Sequence, residues 1–529
     1  MPHAIVAYKA LRLAGENEAA DHLALNWIVG SLERQGLYHI LLTEWLPTIY
    51  QSPNDQIRGE ALNWTGKQHM NLGNFAAALL YFEQAFKISR ETDDRKSEGT
   101  TLNNLANNYY HQGDYDTAST YLEQALKISR EISDKTGEGT ILSNLANLQL
   151  AQGNYETALT YLERALKISQ EIGDKTGEGT ILNNLSPIFK VRGDYEMALT
   201  YLEQALKIQS EIGDKASKGI TLNNLSQIYH ARGDYETALT YLEQALKIQS
   251  EIGDKTSEGT TLNNISQIFQ ARGDYTTALI YLGQALKISQ EIGDKAGEGV
   301  TLGNIANSHH YQGDNAMALQ YFEQALTIHG EIGDKTSEGT TLHNISQIFK
   351  TRGDYAKALL YLEQALTIQR NIGDKAGEGV TLNNISGIHW AQGDYDQTFL
   401  YLEQALIIHR NIGDKAGEGI ALNNLSQIYA ERGDYVKALT YLEQAFKIRQ
   451  EIGDVVGLCT TLFNLGTIYW ENEQQQEAVE AWVTVYRLAK QINLDQALAT
   501  LTELAGQLGL DGGLAGWEQL SQRLGGEDG

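Results

Sequence analysis

The sequence predicts an all-α solenoid of about eleven antiparallel helix pairs closed by helical caps. Three observations carry this expectation. Asparagine recurs every forty residues, at Asn104, Asn144, Asn184, Asn224, Asn264, Asn304, Asn344, Asn384, Asn424 and Asn464, without one insertion or deletion. Glycine keeps the same step from Gly73 to Gly433, until Glu473 breaks the series. Inside each unit the apolar residues fall at helical spacing. A helix pair this thin cannot close its own core, so neighbours must stack.

Taken in order, residues 1–56 read as an amino-terminal cap or linker of three helices, with Pro47 and Pro53 punctuating the passage into the first unit. The tandem array occupies 57–494. In one unit, Leu222, Leu225, Ser226 and Tyr229 fall at i, i+3, i+4 and i+7, the pattern of one buried face. Gly233 ends that helix by accepting a left-handed conformation. Asp234 caps the second helix, whose apolar stripe is Ala238, Leu242, Ala245 and Ile248; Gly253 closes it and Asp254 opens the next unit. Pro187 sits mid-helix where other units carry Gln227 or Gln267. A proline there removes a backbone bond and clashes, so a bend or early break is expected. Residues 495–529 read as two closing helices, 495–508 and 514–524, separated by the flexible "DGG" at 511–513.

Composition narrows the function. Four prolines in 529 residues, with 42% hydrophobic residues, fit an ordered chain. The lone cysteine, Cys459, excludes a disulfide framework and a cysteine-based zinc site; it occupies a column held elsewhere by Gly379 and Gly419 and reads as packing. A net charge of −26 argues against nucleic acid, which needs basic surface, and against anionic membrane. Much of the acid recurs in turns, at Asp234, Asp254, Asp274 and Asp294, where capping explains it. Residues 1–30 lack a basic start followed by an apolar run, and no apolar stretch is long enough to span a bilayer; a cytoplasmic location is expected.

Motifs for chemistry do not assemble. No GxxxxGK[ST], HExxH or GxSxG string occurs, and Gly66-Lys67 lacks the spacing and hydroxyl of a phosphate loop. His309, His310 and His343 could converge as metal ligands, but they read better as polar groove residues. The expectation is a non-enzyme, with no catalytic residue, metal or cofactor.

Leu222-x-x-Leu225-Ser226-x-x-Tyr229, followed by Ala238-x-x-x-Leu242 and Ala245, resembles the tetratricopeptide repeat. The final unit resembles it more closely, through Leu462, Leu465, Gly466, Tyr469, Ala478 and Trp482. The period is forty instead of thirty-four, Leu222 stands for the family's tryptophan, and Ser250 stands where its proline would end the second helix. Forty-residue units with an "LNNL"-type first helix are similar to kinesin light chains and Pins-type adaptors. The resemblance implies a right-handed superhelix whose first helices line a concave groove, and a protein or peptide partner lying in it. In such arrays an asparagine matching Asn224 bonds the ligand backbone. Residues 1–56 also resemble the helical stretch that joins the core to the repeats in bacterial signal-transduction ATPases. That resemblance implies an alternative, the sensor arm of an effector ATPase or protease. A self-assembling structural solenoid is a third reading.

On a helical wheel Ile220, Asn223, Asn224, Gln227, His230 and Ala231 lie opposite the buried stripe. A carboxamide both donates and accepts, so a column of them could grip an extended backbone without reading its sequence. It could equally bond a neighbouring helix and fix how units stack. Asn223's column is looser, with Ser143, Gly303, His343 and Phe463, and fits an exposed site better than a structural one. A third column varies freely through Lys190, His230, Gln270, His310, Lys350 and Trp390, and would select the partner. With two lysines and several histidines there, an acidic or neutral peptide could enter the groove.

Overall fold

The computed structural model describes residues 2–492, 494–510 and 512–525, and every regular element among them is helical. Contacts divide the chain into two units, one of 1–185, 201–224 and 239–374, the other of 186–200, 225–238 and 375–529. Both are built from the helix pairs that the forty-residue period requires.

One pair shows why the sequence folds this way. Asp254 accepts from the Ser257 N–H at 3.0 Å and starts the first helix, Lys255–Ala271. Gly273 turns the chain at φ +79°, Asp274 accepts from the Thr277 N–H at 3.0 Å, and the second helix runs Tyr275–Ile292. Gly293 ends it in the left-handed conformation. The acidic turns are therefore helix caps, each satisfying an N–H that the helix leaves unpaired. Asp93, Ser133 and Glu473 adopt the same left-handed φ without being glycine. Each costs about 1 kcal/mol relative to glycine.

Most of the expected stripes is core: Leu222, Leu225, Ser226, Ala238, Leu242 and Ala245 are buried, while Tyr229 and Ile248 are half-buried and Ile228, outside the expected stripe, is buried. Where the second helix carries a large ring, the first yields volume: a Cβ at Gly66 would stand 2.6 Å from the Phe82 ring, and one at Gly466 2.4 Å from Trp482 Nε1. Gly66 thus belongs to packing. Cys459 is buried in the core around Trp482, and burial pushes its thiol up to about 11.

The ends continue this core. Three helical stretches precede the array: Pro2–Leu13, then 17–34 through a wide π segment at Ala24–Val29, then 38–49 through another at Leu41–Trp45. Ile28, Leu41, Leu46 and Ile49 pack with Ile57 and Ala61 of the first unit. The closing helices are Asp495–Leu508 and Leu514–Gly525. Trp517 is fully buried there, donates to the Leu501 carbonyl at 2.7 Å and packs against Trp482. Of the expected "DGG" hinge, Asp511 lies outside the described residues, and Gly512 and Gly513 both have positive φ.

Of the bend or early break expected at Pro187, the early break is not there. Lys175–Val191 is one helix of the same 17 residues as its neighbours, with Pro187 on its exposed face between buried Leu185 and Ile188. Burial of the flanking stripe outweighs one lost backbone bond.

Each unit also folds back on itself. In the first, Gly36 lies against Ile292, Gly73 against Ile332 and Gly113 against Ile372. The Tyr38 hydroxyl meets Thr256 Oγ1 at 3.0 Å, and Tyr115 meets Thr336 Oγ1 at 3.4 Å. In the second, Gly193 lies against Ile452 and Gly233 against Ile492. From Gly73 onward the interval is constant, more than six repeats. At these positions the turn glycine serves twice, since a side chain would meet both an unfavourable φ and the isoleucine facing it.

Candidate functional site

The two asparagine columns have different fates. The first is buried in part: Asn183, Asn223, Asn263 and Asn423 are almost fully excluded from solvent, while Asn63, Asn103 and Asn383 are half-buried. At those four buried positions the reading of Asn223's column as an exposed site is therefore corrected. A solenoid helix has a neighbour on either side, and the wheel of a single pair counts only one of them. Asn223 Nδ2 donates to Thr261 Oγ1 of the next unit at 2.8 Å, and Asn263 Nδ2 to Thr301 Oγ1 at 2.9 Å. Thr261 in turn meets Gln249 Oε1 at 2.6 Å, which ties in the second helix.

The second column is half-buried and completes a ladder. Asn104 donates to Asn63, Asn144 to Asn103, Asn264 to Asn223 and Asn304 to Asn263, at 2.7–3.2 Å; Asn224 reaches Asn183 at 3.5 Å. The ladder is not continuous: sequence removes its acceptor at three steps, and at Asn424 and Asn464 the acceptors Asn383 and Asn423 are present but their Oδ1 atoms take no bond. Asn184 faces the position of Ser143, Asn344 that of Gly303 and Asn384 that of His343. Asn384 instead donates to Val380 of its own helix at 2.9 Å. Asn424 and Asn464 are half-buried as well. The ladder uses amide hydrogens of this second column; among the described residues, the side-chain oxygens (Oδ1) of Asn144, Asn264 and Asn304 accept no protein hydrogen bond.

The variable column lies at the end of each first helix and packs on the start of the second. His230 lies against Tyr235, His310 Nδ1 meets Asn315 Oδ1 at 2.7 Å, and the Trp390 ring packs edge-on to Tyr395. Gln270 donates to Ser308 Oγ and the Asn304 carbonyl, and Lys190 reaches Gln227 Oε1 at 3.4 Å, each in the following unit. Burial holds the ammonium groups of Lys190 and Lys350 below the usual lysine range. Burial, then Lys190, lowers His230; burial, then Lys350, lowers His343 to about 4.

The histidines weighed as metal ligands serve three separate contacts. His309 stacks on Tyr321 with centroids 5.5 Å apart, in the column where Phe349 stacks on Tyr361. His310 pairs with Asn315, and His343 occupies the buried asparagine column. Among the described residues no group of three His, Cys, Asp or Glu side chains is arranged to hold a metal.

Near the amino-terminal end, first helices border a cleft of about 560 Å³ lined by Met70, Asn107, Tyr110, Asn144, Asn147 and Leu150. It joins apolar surface to three carboxamides. Sequence reasoning named Asn144 and missed Asn107 and Asn147, although their helical spacing from Asn104 and Asn144 places them on the same face.

Such an array of helix pairs with a polar first-helix face defines an interaction solenoid. The chain belongs to the tetratricopeptide repeat family, whose profile matches at 58–131, 137–211, 181–251, 217–291, 257–331, 297–371, 378–451 and 418–491. Members of this family serve as protein–protein interaction scaffolds. Among solved structures, BtubC (BKLC) from P. vanneervenii is similar at 21% identity over 42% of this chain and 91% of that one, with a TM-score of 0.34. A signal transduction ATPase with numerous domains, carrying a tetratricopeptide repeat sensor, from Pyrococcus horikoshii is similar at 18% identity, over 66% of this chain and 54% of that one, with a TM-score of 0.41. A Rap protein complexed with competence and sporulation factor is similar at 14% identity, over 68% and 99%, with a TM-score of 0.48. No curated protein matches the sequence. No described helix is long and apolar enough to cross a membrane.

Proposed function

We propose that this protein is a non-catalytic scaffold that holds an extended peptide against the first-helix face of its first unit, through the column Asn104 to Asn344. The carrying observation is the spare hydrogen-bonding capacity of that column. The ladder occupies amide hydrogens, while the side-chain Oδ1 atoms of Asn144, Asn264 and Asn304 stay open to a peptide N–H. The asparagines thus stack the units and bind the partner, with different atoms. The cleft at Asn107, Asn144 and Asn147 supplies apolar contact beside them from Met70, Tyr110 and Leu150.

The variable column would choose the peptide. The charges acting on His230 and His343 are Lys190 and Lys350, and no carboxylate contributes at either lysine. This supports an acidic or neutral partner despite the net charge of −26.

Panning a random peptide library against the full chain tests the reading. Recovered peptides should bind in a 1:1 complex. One asparagine-to-alanine change should weaken them by about 1 kcal/mol, less than tenfold, and Asn224, Asn264 and Asn304 changed together by about 3 kcal/mol. If the triple variant loses helix content while affinity per folded molecule is unchanged, the column only stacks units and the proposal fails.

A further inference from the structure

Equivalent isoleucines at the ends of second helices differ in exposure according to what lies over them. Ile332 and Ile372 are 8% exposed beneath the turns of Gly73 and Gly113, and Ile452 is 3% exposed beneath Gly193. Ile132, Ile172 and Ile212 hold the same sequence position but stand 37%, 41% and 42% exposed. They form a row on the first unit with no turn covering them. The second unit carries the converse. Beside Gly393 and Gly433, as beside Gly273, Gly313 and Gly353 of the first unit, no described atom lies within 4 Å of where a Cβ would stand; of these, Gly393 and Gly433 keep the register that Gly73 and Gly113 hold with their isoleucines.

We infer that a second copy of this chain supplies the missing half, with Ile132 and Ile172 of one copy seated on the turns of Gly393 and Gly433 of another. The occupant is specified by the protein's own interior. The pairing of Gly73 with Ile332 and Gly113 with Ile372 is already built from these residue types at this spacing. Its polar accompaniment is available too. Inside the chain the Tyr115 hydroxyl meets Thr336. In the same register between copies, Tyr435 would meet Thr136, which is exposed.

The interface is heterologous, since one surface is a row of isoleucines and the other a row of turns. Association is therefore head to tail, and nothing in the pairing limits it to two copies. Because each copy carries a net charge of −26, assembly should strengthen as salt screens the repulsion.

Sedimentation velocity and light scattering of the full chain, over a concentration series at low and moderate salt, test this. Average mass should rise with concentration without a plateau at the dimer, and more so at moderate salt. The variant I132D/I172D/I212D should associate more weakly by over about 100-fold. Asn tolerates a left-handed φ, so G393N/G433N should keep its helix content and block the other surface. Each variant alone should be monomeric, and a mixture of the two should form a 1:1 heterodimer. A wild type that stays monomeric throughout overturns the inference. So does a dimer that persists in G393N/G433N, which would show isoleucine rows pairing with each other, or a folded mixture that does not associate.

Discussion

Asn263 and Asn264 are adjacent, chemically identical and repeated together, yet they should respond differently to alanine. Asn263 is buried and makes three contacts: it donates to the Gly259 carbonyl at 3.2 Å and to Thr301 Oγ1 at 2.9 Å, and accepts from Asn304 at 3.0 Å. At a net value of about 1 kcal/mol per bond, their loss sums to about 3 kcal/mol. Two corrections reduce this. Thr301 still has the Gly297 carbonyl as acceptor, at 2.7 Å, and alanine is the better helix former by roughly 0.5 kcal/mol. The expected cost of Asn263→Ala is about 2 kcal/mol. Asn264 makes one recorded bond, to Asn223 at 3.2 Å, from a half-buried position. That loss and the propensity gain nearly cancel, so Asn264→Ala should stay within about 0.5 kcal/mol of wild type. A long repeat array need not unfold in one step, so a single unfolding free energy is the wrong readout. Native-state hydrogen exchange resolved to the helices Lys255–Ala271 and Lys295–Tyr311 is the right one, because repeat stability is local. Equal loss of protection in the two variants would refute the division of labour between the columns.

Three further outcomes follow from the same geometry. His343, with its folded pKa lowered from 6.5 to about 4, contributes stability that is present above about pH 6.5 and lost as pH falls towards 4, because the unfolded chain binds the proton more readily. His343→Asn, which restores the residue of neighbouring units, should flatten the acid limb of a melting-temperature profile between these values; an unchanged slope would exclude His343 as its source. Gly113→Ala should cost more than Gly313→Ala, since both have positive φ but only Gly113 would place its Cβ 2.9 Å from Ile372; equal shifts in thermal melting would show that the fold-back contact yields at no cost. Pro187→Gln should stabilise the helix Lys175–Val191 by about 1–3 kcal/mol, read as slower hydrogen exchange there, because it restores a backbone donor on an exposed face.

Period, caps and stripes determined the helix pairs. Asp254 and Gly273 act on their own neighbours in sequence, and Leu222 and Leu242 pack within one pair, so spacing alone located them. The closing helices after 495 were legible for the same reason. The roles of the asparagines were decided by tertiary structure. Asn223 and Asn224 differ by only 100° on one helix, and which of them meets the next unit depends on how two pairs stack. The contact of Gly113 with Ile372 lay further out of reach. It depends on a small rotation per unit, repeated over more than six units, and no local pattern encodes that sum. The sequence by itself determined what each unit is; only the tertiary structure decided what each unit touches beyond itself, because stacking angle is a property of packed surfaces and not of any one helix.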